Sequence, residues 1–307
     1  MAVFSVTFQQ LLVLLSIMAI GFVIKKINLL ADDAETMLSR LLSNIFIPAL
    51  TVKTFSGQFR PENLQENGTY LLFGVVTLAI ASAFGFGLAR FFSKDWYLRR
   101  VYAYSLVIAN MGYMGYPLVN AMFGEEALMH MMVFCLPMSM FIYSVGLLLL
   151  NPQSRKSPWK AMCNPMLAGM VLGALLGLLE IPLPSVIPNM LELLSNCMAP
   201  VAMLITGIVI AKYPLKTLYR DPAVYVATLL RLIVIPVVVV LLLRAFGAPE
   251  SVVSISLCAT ALPAGLNSVI FPAAYGGDVR PGAGMALISN VLGLITIPLL
   301  FSLFIAM

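Results

Sequence analysis

Two short stretches of the sequence place neutral amide side chains among residues that interrupt helices. One runs from Asn110 to Pro117 and the other from Pro263 to Pro272. Proline removes a backbone donor and glycine weakens a helix interior, so both stretches predict broken helices. Broken helix ends present unpaired N–H groups, and amides donate without carrying a charge, so this chemistry suits a carboxylate. The predicted substrate-binding residues are Asn110, Gly112, Pro117, Pro263, Asn267, Ser268 and Pro272.

A purely structural role is the alternative for the asparagines in these stretches, because asparagine also caps helix ends. A similar choice applies to three supporting residues. Asn44 lies four residues before Pro48, and Asn196 stands in the same relation to Pro200. An amide there can bond to backbone groups freed by a proline kink. For both residues, and for Asn290, the sequence leaves helix repair and ligand contact open.

Arg231 is the charged residue that lies deepest in an apolar stretch, five residues before Pro236. A charge at the bilayer centre costs about 2.5–3.5 kcal/mol on insertion scales, so such a residue is a candidate for function. The alternative is that the long side chain reaches the nearer membrane surface, about 9 Å away at 1.5 Å per residue. The sequence does not separate these two interpretations.

The elements that position these residues are predicted membrane spans. The 307 residues are 61% hydrophobic and 10% charged, whereas a soluble domain is about half apolar and a quarter charged. About twenty apolar residues cross a bilayer, and the polar breaks leave ten such segments. We therefore predict an all-α integral membrane protein. Its spans are residues 5–24, 36–56, 69–92, 100–122, 127–150, 163–180, 188–211, 224–246, 251–275 and 282–306.

The spans are predicted to form two halves of opposite orientation. The motif LLSN is followed by a proline four residues after its asparagine. It occurs at residues 41–48 and again at 193–200, five spans later. Fourteen of the 18 lysines and arginines fall in odd-numbered loops and three in even-numbered loops. Cytosolic loops carry the positive excess, so both termini are expected outside the cytosol. The predicted units are a first repeat at 1–150, a cytosolic linker at 151–161 and a second repeat at 162–307.

The order and spacing of these motifs resemble the auxin efflux carrier family over essentially the whole chain. The resemblance rests on the two LLSN motifs, ANMGYMGYP at 109–117, ALPAGLNS at 261–268 and GMALISNVLG at 284–293. It implies that helices four and nine cross. It also implies a scaffold of spans 1, 2, 6 and 7, often dimeric, beside a mobile transport domain of spans 3–5 and 8–10. The short middle loop is similar to the prokaryotic branch.

Together these features predict a secondary transporter in the bacterial inner membrane. Its substrate would be a small organic anion, auxin-like or a mono- or dicarboxylate, exported by an alternating-access, elevator-type motion. One alternative is a proton- or sodium-coupled carboxylate symporter on the same fold, which would normally use intramembrane carboxylates. The sequence has its acids in loops or at span ends. Another alternative is a non-transporting membrane sensor, which need not keep two matching helix breaks.

No motif in the sequence indicates an enzyme, a cofactor, a metal site or a nucleic-acid partner. The four cysteines have no CxxC spacing, and the methionines around His130 are explained more simply as packing residues. Gly169, Gly173 and Gly177 lie on one helix face and predict close packing, either inside the chain or between two copies. The expected partners are the organic anion and the lipid bilayer, with a homodimer through the scaffold helices as an option.

Overall fold

The computed structural model describes residues 2–31, 33–151, 165–214 and 221–305. Within these ranges every regular element is a helix, and the β-type contact is one isolated bridge. The prediction of an all-α chain is therefore confirmed. The predicted linker at 151–161 lies, apart from Asn151, outside the described residues, as does the start of the predicted sixth span.

The described α-helices range from 4 to 26 residues in length, and one of them is kinked at Gly124. In the first half they are α1 (Ala2–Lys26), α2 (Ala34–Leu41), α3 (Ile47–Gln58), α4 (Leu64–Ala89), α5 (Trp96–Val107), α6 (Tyr116–Phe134), α7 (Leu136–Phe141) and α8 (Leu147–Leu150). In the second half they are α9 (Pro165–Leu178), α10 (Val186–Asn196), α11 (Met198–Ala211), α12 (Pro222–Leu229), α13 (Ile235–Ala245), α14 (Glu250–Thr260), α15 (Asn267–Tyr275) and α16 (Arg280–Phe304).

Five helical stretches of the described chain are long and apolar enough to cross a membrane. They are Phe4–Lys26, Pro61–Ala89, Val186–Ala211, Pro222–Ala245 and Arg280–Phe304. The pair Met111–Phe134 and Leu136–Leu150, which is bent by 47°, adds a sixth if it counts as one span. The protein is thus membrane-embedded, as its composition predicts. The count of ten spans stays a prediction, since several of the expected spans are interrupted or short helices.

Single turns of the wider π geometry interrupt several helices, and proline accounts for three of them. The turns are Leu42–Phe46, Met111–Gly115, Ile142–Gly146 and Leu230–Val234. Pro48, Pro117 and Pro236 each occupy the second position of the helix that follows a π turn. A proline has no N–H for the carbonyl four residues earlier, so the preceding turn widens. The kink expected at Pro48 and the break expected at 110–117 take this form, whereas in the described chain no π turn precedes Pro200 or lies in the break at 263–272.

Glycines let two pairs of helices approach closely inside the chain. Helix α1 runs along α11, where a Cβ on Gly207 would lie 1.9 Å from the carbonyl oxygen of Met18. Helix α9 runs along α3, where a Cβ on Gly169 would lie 2.4 Å from Oγ1 of Thr51. Gly173 and Gly177 meet the same helix. The glycine face of α9 therefore packs within one chain.

Candidate functional site

The two predicted breaks lie against each other and share backbone hydrogen bonds. The N–H of Asn110 donates to the carbonyl of Pro263 over 2.8 Å, and the N–H of Gly265 donates to the carbonyl of Ile108 over 3.1 Å. These bonds form an antiparallel bridge between Ala109 and Ala264. All of these residues are buried. Each break thus satisfies backbone groups of the other that would be costly to leave unpaired in an apolar interior.

The side chain of Asn110 is buried at this bridge with no hydrogen-bond partner. It is 2% exposed, and neither its amide nitrogen nor its oxygen is paired within the described chain. Its main chain is used fully, because its carbonyl accepts from Met114 and Gly115 at 3.1 and 3.0 Å. Asn110 precedes the π turn but makes no capping bond with its side chain. An unpaired buried amide costs about 1–3 kcal/mol, which a bound ligand or water would relieve.

A small cavity of about 60 Å³ lies at the bridge, and Asn110 is one of the residues that line it. Its lining residues are Ser43, Ile47, Ala109, Asn110, Met111, Gly112, Tyr113, Tyr116, Ser139, Ile142, Met166, Gly265, Leu266 and Asn267. Three of the predicted substrate-binding residues, Asn110, Gly112 and Asn267, are among them. The cavity has room for a few waters, whereas ligand pockets usually measure about 300–1,000 Å³.

The other four predicted residues, Pro117, Pro263, Ser268 and Pro272, are not among the residues that line this cavity. Pro263 supplies the carbonyl that receives the Asn110 N–H, and Pro117 begins the helix after the π turn. The hydroxyl of Ser268 donates to the carbonyl of Gly265 over 2.7 Å. Pro272 stands inside α15, so the carbonyl of Ser268 has no helical donor there.

A larger cavity of about 470 Å³ adjoins the small one. It is lined by Glu35, Thr36, Ser39, Arg40, Ser43, Asn44, Val209, Lys212, Tyr213, Val269 and Ile270. Ser43 lines both cavities, so they adjoin at this residue. Lys212 forms an ion pair with Glu35 across the larger one, while Arg40 is exposed there.

The supporting asparagines of the LLSN motifs differ in their surroundings. Asn44 lines the larger cavity, and its amide donates to the carbonyl of Arg40 over 2.7 Å, within its own helix. Asn196 is the last residue of α10, and Pro200 follows in α11; both are exposed, and neither lines the two cavities. The described side-chain bond of Asn44 thus goes to the backbone one turn earlier, whereas the carbonyl that Pro48 leaves without a helical donor is that of Asn44 itself.

Arg231 and Asn290 are both inside the protein. Arg231 is 1% exposed and does not reach the surface. The amide of Asn290 donates to the carbonyl of Ala286 over 2.7 Å, and its oxygen is buried without a partner in the described structure. The preceding residue, Ser289, accepts the N–H of Ala264 at 3.0 Å. Helix α16 therefore supports the second break directly.

Several cavity residues were missed by sequence reasoning. Ser43 was overlooked beside Asn44, because the π turn shifts which side chains face inward and that shift is not visible in the motif. Tyr113 and Tyr116 lie within the quoted break and could have been considered for that reason. Ser139 lies two residues after Pro137, in a span for which no break was expected. Only the packing of distant helices brings Met166 to the same cavity.

The single histidine belongs to a different region. His130 stacks on Tyr70 with 4.2 Å between ring centres, and its Nε2 lies 3.8 Å from a carboxylate oxygen of Glu66. These side chains line a separate cavity of about 420 Å³. Within the described ranges, no group of three or more His, Cys, Asp or Glu side chains is arranged to hold a metal ion.

Comparison with known proteins gives one family and several relatives. The model of the family described as membrane transport protein matches residues 6–158 and 153–301. The chain is similar to an uncharacterised transporter of Methanothermobacter thermautotrophicus, with 21% identity over 304 residues, 97% of this chain and 98% of the relative. It is also similar to the uncharacterised transporter YfdV of Escherichia coli K12, with 21% identity over 301 residues, 94% of this chain and 95% of that protein.

Proposed function

Because the chain belongs to the membrane transport protein family, which includes the auxin efflux carriers, we propose that it is a secondary transporter of a small organic anion. The observation that carries the proposal is the buried amide of Asn110, which is unpaired within the described chain and belongs to a residue that lines the cavity between the two breaks. A buried polar group without a partner points to a ligand, and this one can donate to a carboxylate without adding a fixed charge.

The electrostatics of the cavity favour an anion. The helical segments that begin after Asn110 and Leu266 direct their N-terminal ends toward it, and such ends carry partial positive charge. None of its lining residues is an aspartate or glutamate. The same feature favours simple anion transport over obligatory coupling to sodium or protons, since those ions usually need carboxylates.

The pattern of helix packing supports two inverted five-helix repeats. Helix α1 packs on α11 and α3 packs on α9, which pairs predicted spans 1 with 7 and 2 with 6. Spans 1 and 6 are counterparts in the two repeats, and so are spans 2 and 7. Replacing each span of the first pair by its counterpart gives the second pair. Likewise α4 packs on α5 and α13 packs on α14, which pairs spans 3 with 4 and 8 with 9. We infer a scaffold of spans 1, 2, 6 and 7 and a transport domain of the rest.

The position of the two adjoining cavities supports a direction of substrate transport. The larger cavity is lined by the start of α2 and by Lys212 after α11, which belong to loops that the basic residues predict to be cytosolic. An anion would enter there, past Arg40, and reach the bridge beside Ser43. The cavity at the bridge is too small for most organic anions, so a movement of the transport domain is needed. We therefore propose elevator-type export across the inner membrane.

A thermal-shift comparison of matched pairs tests the substrate class. Purified protein would be melted with benzoate and benzamide, and with succinate and succinamide, at equal ionic strength. Binding raises stability by RT ln(1 + [L]/Kd), so at least one carboxylate should raise the melting temperature in a saturable way while its amide does not. Equal shifts with acid and amide, or none across a broad carboxylate panel together with no flux in proteoliposomes, would overturn the proposal.

A further inference from the structure

Arg231 is the largest fully buried side chain of the described protein. It lies in the π turn Leu230–Val234, between α12 and α13. Its Nε and Nη1 atoms are buried and have no hydrogen-bond partner in the described structure. A guanidinium is always charged and has five N–H donors, so these two orphaned donors are an unusual feature of a folded interior.

No carboxylate of the described chain forms an ion pair with Arg231. On its own helix the nearest acid is Asp221, ten residues away or about 15 Å along the axis. Asp221 is already engaged, because it caps Ala223 at 2.9 Å and accepts the Tyr102 hydroxyl at 3.2 Å. The other arginine of this helical stretch, Arg244, is paired with Glu250.

The helices packed against the π turn bring no free acid either. They are α5 and α16. Helix α16 has one charged residue, Arg280 at its first position, which is bonded to Asp278. Helix α5 carries Arg99 and Arg100 near its start, and Asp95 before it caps Leu98. A buried, uncompensated charge costs several kcal/mol. A negative charge supplied from outside the described chain would therefore stabilise the folded protein at Arg231.

A second unpaired group lies on the same face. Thr228 precedes Arg231 by three residues, a spacing that places two helical side chains side by side. Thr228 is fully buried, and its hydroxyl has no partner in the described chain. The two residues together offer a guanidinium edge and a hydroxyl donor. Such a set matches one carboxylate or one halide ion.

We propose that Arg231 and Thr228 form a second, intramembrane anion site. Its ligand is a single negative charge, either a carboxylate of the transported substrate or a chloride ion. The inference rests on the proposed transport function only for the substrate carboxylate, since chloride would bind as a counter-ion in either case. Helix α16 packs against this π turn and also holds the second break through Ser289, so the site adjoins the elements that form the candidate substrate cavity.

The site is tested by the anion dependence of thermal stability. Wild-type protein would be melted in sodium gluconate with added sodium chloride or sodium benzoate at constant ionic strength. We expect a saturable rise in melting temperature with at least one of them. R231Q should lose that rise, and T228V should shift its midpoint several-fold to higher concentration. R244Q, which removes an exposed arginine of the same helical stretch, should respond like the wild type. If R231Q does not fold, the anion-dependent rise in melting temperature of R231K and of T228V is compared with that of the wild type instead.

The outcomes separate the two proposals. Stabilisation by chloride that depends on Arg231, with no carboxylate bound or transported, would support this site and overturn the proposed substrate class. Stabilisation by carboxylates that is equal in the wild type, R231Q and T228V would support transport and overturn this site. Stabilisation by benzoate alone, lost in R231Q and kept in R244Q, identifies the ligand as the substrate carboxylate. No anion-dependent stabilisation of the wild type would overturn the site.

Discussion

Asn110 and Pro263 are joined by a 2.8 Å hydrogen bond from the N–H of the first to the carbonyl of the second. This bond uses the main chain of Asn110, while its side-chain amide is buried without a partner in the described chain. The two breaks therefore stabilise each other, and the same contact fixes the position of the residue that we propose binds the ligand. The pair Asn110 and Pro263 thus belongs both to the contact between the breaks and to the proposed binding site.

The close approach of the two breaks depends on Gly265. A Cβ at this position would lie 3.2 Å from the carbonyl oxygen of Ala109 and 3.3 Å from that of Ile108. We expect Gly265→Ala to lower the free energy of unfolding by about 1–3 kcal/mol, the usual cost of overpacking. Melting temperature in detergent measures it. Gly87→Ala is the control, because no heavy atom lies within 4 Å of its added Cβ and alanine favours the helix. Similar losses in both variants would contradict the expectation.

Replacing Asn110 by leucine separates ligand contact from a structural role. Leucine has a similar shape and removes an unpaired buried amide, so the melting temperature of the empty protein should hold or rise. Carboxylate binding should weaken by about 1–3 kcal/mol, or roughly fivefold to 150-fold, because a hydrogen bond to a charged group is lost. Titration calorimetry with the best carboxylate checks the affinity. A destabilised protein with unchanged affinity would instead identify Asn110 as structural.

The loop before α16 gives a pH-dependent contribution to stability. Hydrogen bonds from Arg280 hold the pKa of Asp278 below its usual value, against the opposing effect of burial. A lowered pKa stabilises the folded state above the unfolded pKa of about 4, and this stabilisation is lost as pH falls through the folded value. Asp278→Asn should therefore cost about 0.5–1 kcal/mol at neutral pH and nothing at lower pH.

Melting curves between neutral pH and pH 3 measure this difference. Asp33→Asn is the matched control, since Asp33 stands at the N-cap of α2 but makes no capping bond. Its melting curve should follow that of the wild type throughout. A cost of Asp278→Asn that persists in acid would show that the carboxylate charge is not its source.

The predicted topology can be checked with reporters. The excess of basic residues in odd-numbered loops places both termini outside and the middle loop in the cytosol. A phosphatase fused after Met307 should be active, and a fluorescent protein at Ser154 should be fluorescent. Cytosolic results at both Ser154 and Met307 would mean an even number of spans between them, which is incompatible with a second repeat of five helices.

Transport is expected to follow the membrane potential. An anion that leaves an inside-negative cell gains about 2.3 kcal/mol per charge per 100 mV, and no acid lines the cavity at the bridge to hold a coupling ion. In proteoliposomes, flux should respond to a potassium–valinomycin potential and ignore sodium or pH gradients while substrate ionisation is held constant. Accumulation driven by sodium alone at zero potential would favour the coupled symporter.

The sequence determined the helical, membrane-embedded class, the family and the positions of the helix breaks. Composition indicates the membrane-embedded class, because a typical soluble domain is about half apolar and this chain is 61% hydrophobic. The order and spacing of the motifs indicate the family. The breaks follow from local chemistry, since proline lacks an N–H wherever it stands, and three of the four π turns end two residues before a proline. Such effects act over one turn and are visible in the residue order.

Tertiary structure decided which side chains share a space. It buried the amide of Asn110 without a partner in the described chain but bonded the hydroxyl of Ser268 to the nearby carbonyl of Gly265, although both residues lie in broken stretches. It placed Ser43, not Asn44, on both cavities, and it buried Arg231 where the sequence allowed a surface position. The glycine face of α9 met α3 within the chain. Each outcome depends on contacts between helices far apart in sequence, and no local pattern encodes the direction in which a kinked helix turns its side chains.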